Sequence, residues 1–181
     1  MPYPRLIVVT GLPGTGKTTL ARELARRFRV PLIGKDLIKE PLLDVLGTGD
    51  RAHSRRLSDA SFAVQIRIAR ELLAAGAKLI LEGNFRSGEH EAMLQEAFPP
   101  DLHPDTEAVQ VMCRVEESIR LSRLRHRAAD PGRHAGHRDA QLAVSPAQAG
   151  GSFLDLPLRR LEFDAALRPP RYDELAAELL K

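Results

Sequence analysis

Cysteine, lysine and aromatic residues are scarce in this chain. Its 181 residues include one cysteine, Cys113. That excludes an intrachain disulfide and any cysteine-based zinc site, and it fits a reducing compartment. Aromatics make up 4% of the chain and do not interleave with basic runs, so there is no stacking platform for single-stranded nucleic acid. Lysine occurs only at Lys17, Lys35, Lys39, Lys78 and Lys181. The remaining basic charge is arginine, whose planar fork suits phosphate. A compositional bias of the genome would enrich arginine in the same way, so only clustered arginines count as evidence. No apolar run reaches the ~20 residues of a membrane span, and no apolar signal core follows the N-terminus. There is no internal repeat. These absences lead us to expect one domain over residues 1–181, in the cytoplasm and without membrane contact.

What the chain does contain is organised around Leu6-Ile7-Val8-Val9-Thr10-Gly11-Leu12-Pro13-Gly14-Thr15-Gly16-Lys17-Thr18-Thr19-Leu20. It reads as a buried strand, a glycine-rich turn and a helix start. Gly11, Gly16, Lys17 and Thr18 fit G-x-x-x-x-G-K-[ST], the phosphate-binding P-loop. The glycines let backbone N–H groups curl around a phosphate with no Cβ in the way. The following helix points its positive end at the same phosphate. Lys17 can reach the β/γ oxygens, and the Thr18 hydroxyl can bind Mg²⁺. The loop residues Gly11, Pro13, Gly14, Thr15, Gly16, Lys17, Thr18 and Thr19 are therefore the candidate nucleotide site.

Further along, Val30–Gly34 reads as a second strand, with Asp36 just past its carboxyl end, where ligands collect in an open α/β sheet. A carboxylate there can accept the proton of an attacking hydroxyl or hold the Mg²⁺ shell. As a bland alternative it only caps the next helix. Lys39, one helical turn later, is expected to face the same way. Ser54–Asp59 reads as a loop leading into a helix over about 59–74, with Phe62, Ile66, Ala69, Leu72 and Leu73 as its core stripe and Gly76 as its stop. Lys78–Phe85 reads as a strand carrying Glu82, an acid placed like the Mg²⁺-reaching carboxylate of a Walker-B strand. Asn84 and Arg86 follow as candidate substrate contacts. A short helix is expected at about 89–98, a strand at Ala108–Arg114 and a helix at about 116–128. Arg120, Arg123 and Arg127 are spaced three and four apart and share one helical face, which a triphosphate would neutralise. His134 and His137 have metal-ligand spacing, but no third ligand stands nearby in sequence. Gln141–Ser152 reads as a flexible return loop, 158–163 as a fifth strand and 172–180 as a closing helix after the break at Pro169-Pro170. The whole is an α/β P-loop NTPase, a five-stranded parallel sheet between helices with an Arg-rich lid over about 115–152.

Three stretches together resemble small P-loop kinases, the group that includes zeta toxins, the kinase domain of polynucleotide kinase, chloramphenicol phosphotransferase and gluconate kinase. They are the Gly11-to-Thr19 loop, Lys35-Asp36-x-x-Lys39 and the pair Arg123-x-x-x-Arg127. Leu81-Glu82-Gly83-Asn84-Phe85 and Gly132-Arg133-His134-x-Gly136-His137 resemble segments of uncharacterised ATP-binding members. The resemblance implies strand order 2-3-1-4-5, Asp36 as general base, and Arg123 and Arg127 as the lid pair around the phosphates of ATP.

The expected function is ATP·Mg²⁺-dependent transfer of the γ-phosphate to a hydroxyl of a small molecule. Lys17, Asp36, Arg123 and Arg127 act in it, Thr18 and Glu82 serve the metal, and Asp36, Lys39, Asn84 and Arg86 face the acceptor. Two alternatives are carried. A nucleic-acid 5′-hydroxyl kinase is permitted by the basic segment 114–138, but a net charge of +3 gives no strong footprint for nucleic acid. A nucleotide-dependent switch or ATPase without an acceptor is the other and the weaker. There is no Asn-Lys-x-Asp guanine motif, Asp44-Val45-Leu46-Gly47 precedes the acidic strand instead of ending it, and Glu82 is followed by Gly83 where a ring ATPase would have an acidic pair.

Overall fold

The computed structural model describes residues 3–137, 139–144, 151–167 and 170–181. Arg138, half of the expected return loop (145–150) and Arg168-Pro169 lie outside the described residues.

β1 (Leu6–Thr10) is buried at every position. A continuous apolar run without alternation is what a strand covered on both faces requires. It is followed by α1 (Lys17–Phe28), β2 (Leu32–Gly34), α2 (Lys35–Leu46), α3 (Arg51–Ala74) and β3 (Leu79–Glu82). Two short helices, α4 (Glu91–Glu96) and α5 (Pro104–Glu107), lead to β4 (Ala108–Arg114). Then come α6 (Glu117–Ala128), α7 (Asp139–Leu142), β5 (Arg159–Asp164) and α8 (Tyr172–Leu179). The five strands pair in parallel in the order β2-β3-β1-β4-β5, as the resemblance implies.

Side-chain alternation along the central strands divides the core in two. Leu6 and Val8 of β1, with Leu79 and Leu81 of β3, pack against Phe62, Ile66, Ala69 and Leu73 of α3. Ile7 and Val9, with Ile80, Val109 and Val111, pack against Leu20, Ala21 and Leu24 of α1 and Leu175 and Leu179 of α8. This sandwich fixes the carboxyl ends of β1, β2 and β3 side by side, the place where an α/β sheet collects ligands.

Several boundaries differ from expectation for identifiable reasons. α3 begins at Arg51, eight residues before the expected start, because the Asp50 carboxylate accepts a hydrogen bond from the His53 N–H at 2.8 Å and caps the helix. The stretch Ser54–Asp59 is therefore helical, with Arg55 and Arg56 exposed on it. At the other end, Gly76 N–H bonds to Leu73 O and Ala77 N–H to Leu72 O, a Schellman closure with Gly76 at φ 78°. β5 tolerates two arginines because it is an edge strand. Their guanidinium groups reach out to the carbonyls of Glu178 and Leu154.

Leu81 is fully buried between β1 and α3. Leu81→Ala is expected to lower unfolding free energy by about 2–5 kcal/mol in a denaturant titration, while a loss below about 1 kcal/mol would mean the α3 face of the sheet is loosely packed.

Candidate active site

The loop between β1 and α1 is tied from inside and from outside. Inside, three donors converge on the Leu12 carbonyl: the Thr15 N–H at 3.2 Å, the Thr15 hydroxyl at 2.8 Å and the Lys17 ammonium at 3.0 Å. Outside, α6 supplies guanidinium groups. Arg120 Nη1 donates to Pro13 O at 3.3 Å, and Arg123 Nη1 donates to Thr15 O at 3.3 Å. In a trans peptide the C=O and the next N–H point in opposite directions. The Gly14 and Gly16 N–H groups therefore point away from the arginines that hold the Pro13 and Thr15 carbonyls. Two positions enforce glycine. A Cβ on Gly11 would lie 2.5 Å from Cys113 O, and Gly14 sits at φ +88° with Arg120 O 3.0 Å from where its Cβ would be. α1 has no side-chain cap at its N-terminus, so its first N–H groups and positive dipole end are directed to whatever anion the loop holds.

A cavity of about 690 Å³ opens in front of this loop. Its floor is Gly14, Gly16, Lys17, Thr18 and Thr19. One end is closed by Arg22, Phe163, Ala165, Pro170 and Tyr172, and the other by Asp36, Leu37, Glu40 and Arg133. Glu82 lies beneath it, and Arg123, His126 and Arg127 of α6 form its roof.

The electrostatics of the floor follow from burial. Desolvation lowers the pKa of Lys17, against the pull of Glu82. Glu82, 5% exposed, is raised by burial and pulled back by Lys17, and its carboxylate is hydrogen-bonded to Thr18. Thr18 and Glu82, the two residues expected at the metal, thus touch. Two oxygen donors beside the phosphate loop are a set that fits Mg²⁺, which keeps most of its waters and takes few protein ligands. Asp36 is pushed up by burial, but the Lys35 ammonium 3.0 Å away, with His137 and Lys17, outweighs this and holds it at about 2. Asp36 is therefore a carboxylate at any working pH. It lies in the first turn of α2, whose N-cap is Gly34, so it is not the cap. Cys113, packed behind the loop, is pushed up to about 12 by burial and is chemically quiet.

The structure sorts the remaining sequence candidates. Lys17, Thr18, Asp36, Glu82, Arg123 and Arg127 come together around one cavity. Lys39, Asn84 and Arg86 do not line it. Lys39 is buried and donates to Ser54 Oγ of α3 at 2.9 Å. Three residues on from Asp36 is short of a full helical turn, and that side of α2 packs on α3. Arg86 pairs with Glu89 on the surface. Arg120, grouped in sequence with the phosphate-facing arginines, is 3% exposed, forked onto Glu117 and turned to the loop carbonyl. Arg127 is held by the buried carboxylate of Asp139, which also takes Arg133 Nε at 2.8 Å. Residues that sequence reasoning passed over are Glu40, Arg133 and Asp139 on the Asp36 side, and Ala165, Pro170 and Tyr172 at the far end. Glu40 was findable as the i+4 neighbour of Asp36. Arg133 lies in the Gly132–His137 segment quoted for its resemblance, where it was given no role; the others have no local signal. His137, weighed in sequence only for metal spacing with His134, is separated from it in function: His134 goes to Asp44 and His137 to Glu40.

Comparison with known proteins identifies the family and the fold. A family model described as an AAA domain matches residues 7–143. The uncharacterized protein Rv2004c of Mycobacterium tuberculosis is 30% identical over 154 residues. That match takes in 80% of this chain but 29% of the mycobacterial protein, so the chain spans less than a third of that relative's length. A cytidylate kinase of Pyrobaculum arsenaticum is 30% identical over 115 residues, 63% of this chain and 62% of that enzyme. Among solved structures, a provisionally named kinase of Chloroflexus aurantiacus superposes with a TM-score of 0.82 at 30% identity, covering 98% of this chain and 97% of the other.

A carboxyl-resolved NMR titration should give Asp36 a midpoint near 2. Lys35→Ala, which removes the nearest cation, should raise that midpoint. The native value lies below the unfolded one of about 3.9, so the Asp36 contribution to stability is present above that value and disappears as pH falls through about 2. An unchanged midpoint in Lys35→Ala would mean the pair does not set the carboxylate.

Proposed function

The chain belongs to the AAA domain family of P-loop proteins, and from that premise we propose that it transfers the γ-phosphate of ATP to a hydroxyl group of a small molecule. The observation that carries the proposal is Asp36, an ionised carboxylate lining the same cavity as Lys17, Arg123 and Arg127. In this reading the Gly11–Thr19 loop and Lys17 bind the β- and γ-phosphates. Arg127, held by Asp139, lies over the transferring group, with Arg123 bracing the loop beside it. Arginines so placed neutralise charge that grows in the transition state, an effect worth about 10³-fold or more. Thr18 and Glu82 would hold Mg²⁺, which neutralises the phosphate oxygens when bound. The purine lies at the end formed by Ala165, Pro170 and Tyr172 beside Thr19 and Arg22.

Asp36 receives the acceptor. With its pKa near 2 it is a weak base. In a loose, metaphosphate-like transition state the hydroxyl proton is lost late, so the role of the carboxylate is to orient the hydroxyl and take the proton as the new bond forms. The likeness to a cytidylate kinase raises a phosphate acceptor as the competing reading. A phosphate needs no base, and Asp36 and Glu40 would repel one, so the hydroxyl reading is favoured.

The test is transfer from γ-labelled ATP with Mg²⁺ against sugars, nucleosides, aminoglycosides, chloramphenicol, 5′-hydroxyl oligonucleotides and cytidine monophosphate. Transfer to a hydroxyl compound is expected. Asp36→Asn should lower kcat by about 10²-fold or more, and Arg127→Ala by about 10²–10³-fold, while Lys17→Ala should abolish tight nucleotide binding. Transfer to cytidine monophosphate alone, indifferent to Asp36→Asn, would replace the hydroxyl reading with the phosphate one.

A further inference from the structure

After α6 the chain turns back and lies against α2. Asp36, Glu40 and Asp44 are spaced by four along α2, so their carboxylates form one stripe. The returning segment meets that stripe with two imidazoles. His137 Nε2 lies 2.5 Å from Glu40 Oε1, and His134 Nε2 lies 3.0 Å from Asp44 Oδ1. A carboxylate can only accept, so in the His137–Glu40 bond Nε2 carries the proton. Between the histidines, Gly136 is pressed onto Leu43, where any Cβ would come within 2.3 Å of Leu43 Cδ1. Asp139 fixes Arg133, whose other arm lies 3.8 Å from Glu40, and it fixes Arg127 as well. One buried carboxylate thus ties the roof of the nucleotide cavity to the segment lying on α2.

The third member of the stripe is Asp36. Single ligand atoms of Asp36, Glu40 and His137 all lie within 4.8 Å of one another. Two carboxylates and an imidazole are also a donor set for a divalent cation. Here the positive charge is already supplied, by Lys35 at 3.0 Å from Asp36 and by Arg133 near Glu40. His137 Nε2 is already engaged with Glu40. The cluster therefore fits a hydrogen-bonded group better than a metal centre.

We propose that His137 is a positioning residue of the acceptor site: anchored by Glu40, its ring lies beside the Asp36 carboxylate and limits where that carboxylate can swing, so the acceptor hydroxyl finds its place only when the segment after α6 is seated on α2. This rests on the reading of Asp36 as the group that receives the hydroxyl. It gives a physical reason for the Arg127–Asp139–Arg133 chain, since the seating that places His137 at the acceptor end also places Arg127 over the phosphate. Charged groups facing His137 are Glu40 and Asp36 of α2 and Arg133 of its own segment. Burial lowers its pKa while Glu40 and Asp36 act the other way.

The test uses the full chain, with water as the accepting hydroxyl. ADP release from saturating Mg·ATP gives kcat, and a fluorescent non-hydrolysable ATP analogue gives nucleotide affinity. His137→Ala is expected to lower kcat by about tenfold or more with affinity held within about twofold. His137→Gln, whose amide can donate to Glu40, should restore most of the rate. Glu40→Ala added to His137→Ala should cost no more than about twofold further, because the two act as one unit. Asp36→Asn is run alongside. If His137→Ala is as fast as the parent or faster while Asp36→Asn is slow, the proposal falls and the reading of Asp36 stands. If Asp36→Asn is also fast, that reading fails and takes the proposal with it. A loss of affinity together with rate, not restored by glutamine, would assign His137 a merely structural part and overturn the proposal.

Discussion

Three hydrogen bonds onto one carbonyl, Leu12 O, hold the β1–α1 loop in its curl, and the cavity depends on that curl. The Lys17 ammonium is buried and gives one of its protons to this oxygen. A buried cation needs acceptors, and the loop supplies one while leaving the outer face of the ammonium toward the cavity. The arginines of α6 complete the arrangement by taking the outward carbonyls of Pro13 and Thr15. Backbone N–H groups are thereby committed to the inside. An anion there replaces water lost by several donors at once, which is why a loop with no charged residue but Lys17 can serve a triphosphate.

The opposite wall is built on a charge pattern of the other sign. α2 turns Asp36, Glu40 and Asp44 toward the segment that follows α6, and that segment answers with Arg133, His134 and His137. Salt bridges at exposed positions contribute little. Those around Asp139 are different, because its carboxylate is 4% exposed and serves two guanidinium groups. Removing the guanidinium partners strands this carboxylate away from water. In the proposed reaction this rigidity keeps roof and acceptor wall in register, so that an excluded-water site forms around both reactants at once.

How much of this was readable beforehand differed by residue. β1, the loop and α1 were legible because the loop needs glycine at fixed positions, and Gly11 and Gly14 show the contacts that enforce it. The centre of the sheet was legible because β1 and β3 are apolar runs that end at the cavity. Asp36 and Glu82 were found because strand ends bring side chains to the cavity whatever the rest of the fold does. Lys39 misled because sequence gives helical spacing but not which side of α2 meets α3. Arg120 misled because a row of arginines on one face does not reveal that the first of them braces a backbone carbonyl. Gly47 and Gly49 made the start of α3 look like loop, and only the Asp50 bond to His53 marks where the helix begins. Tyr172 joins the loop at the cavity across more than 150 residues of chain, so no local pattern could carry it. His137 carried a local pattern, but its partner was 97 residues away.

The account stands on the claim that one cavity holds the triphosphate against the loop with its γ-phosphate turned to Asp36. A crystal structure with Mg²⁺ and a non-hydrolysable ATP analogue tests it most directly. The predicted result has the γ-phosphate among Lys17, Arg127 and the Gly14 and Gly16 amides, within about 3–4 Å of space for a hydroxyl on the Asp36 carboxylate, and the base beside Tyr172. A γ-phosphate directed away from α2, with Asp36 still paired to Lys35 and facing only solvent, would contradict it.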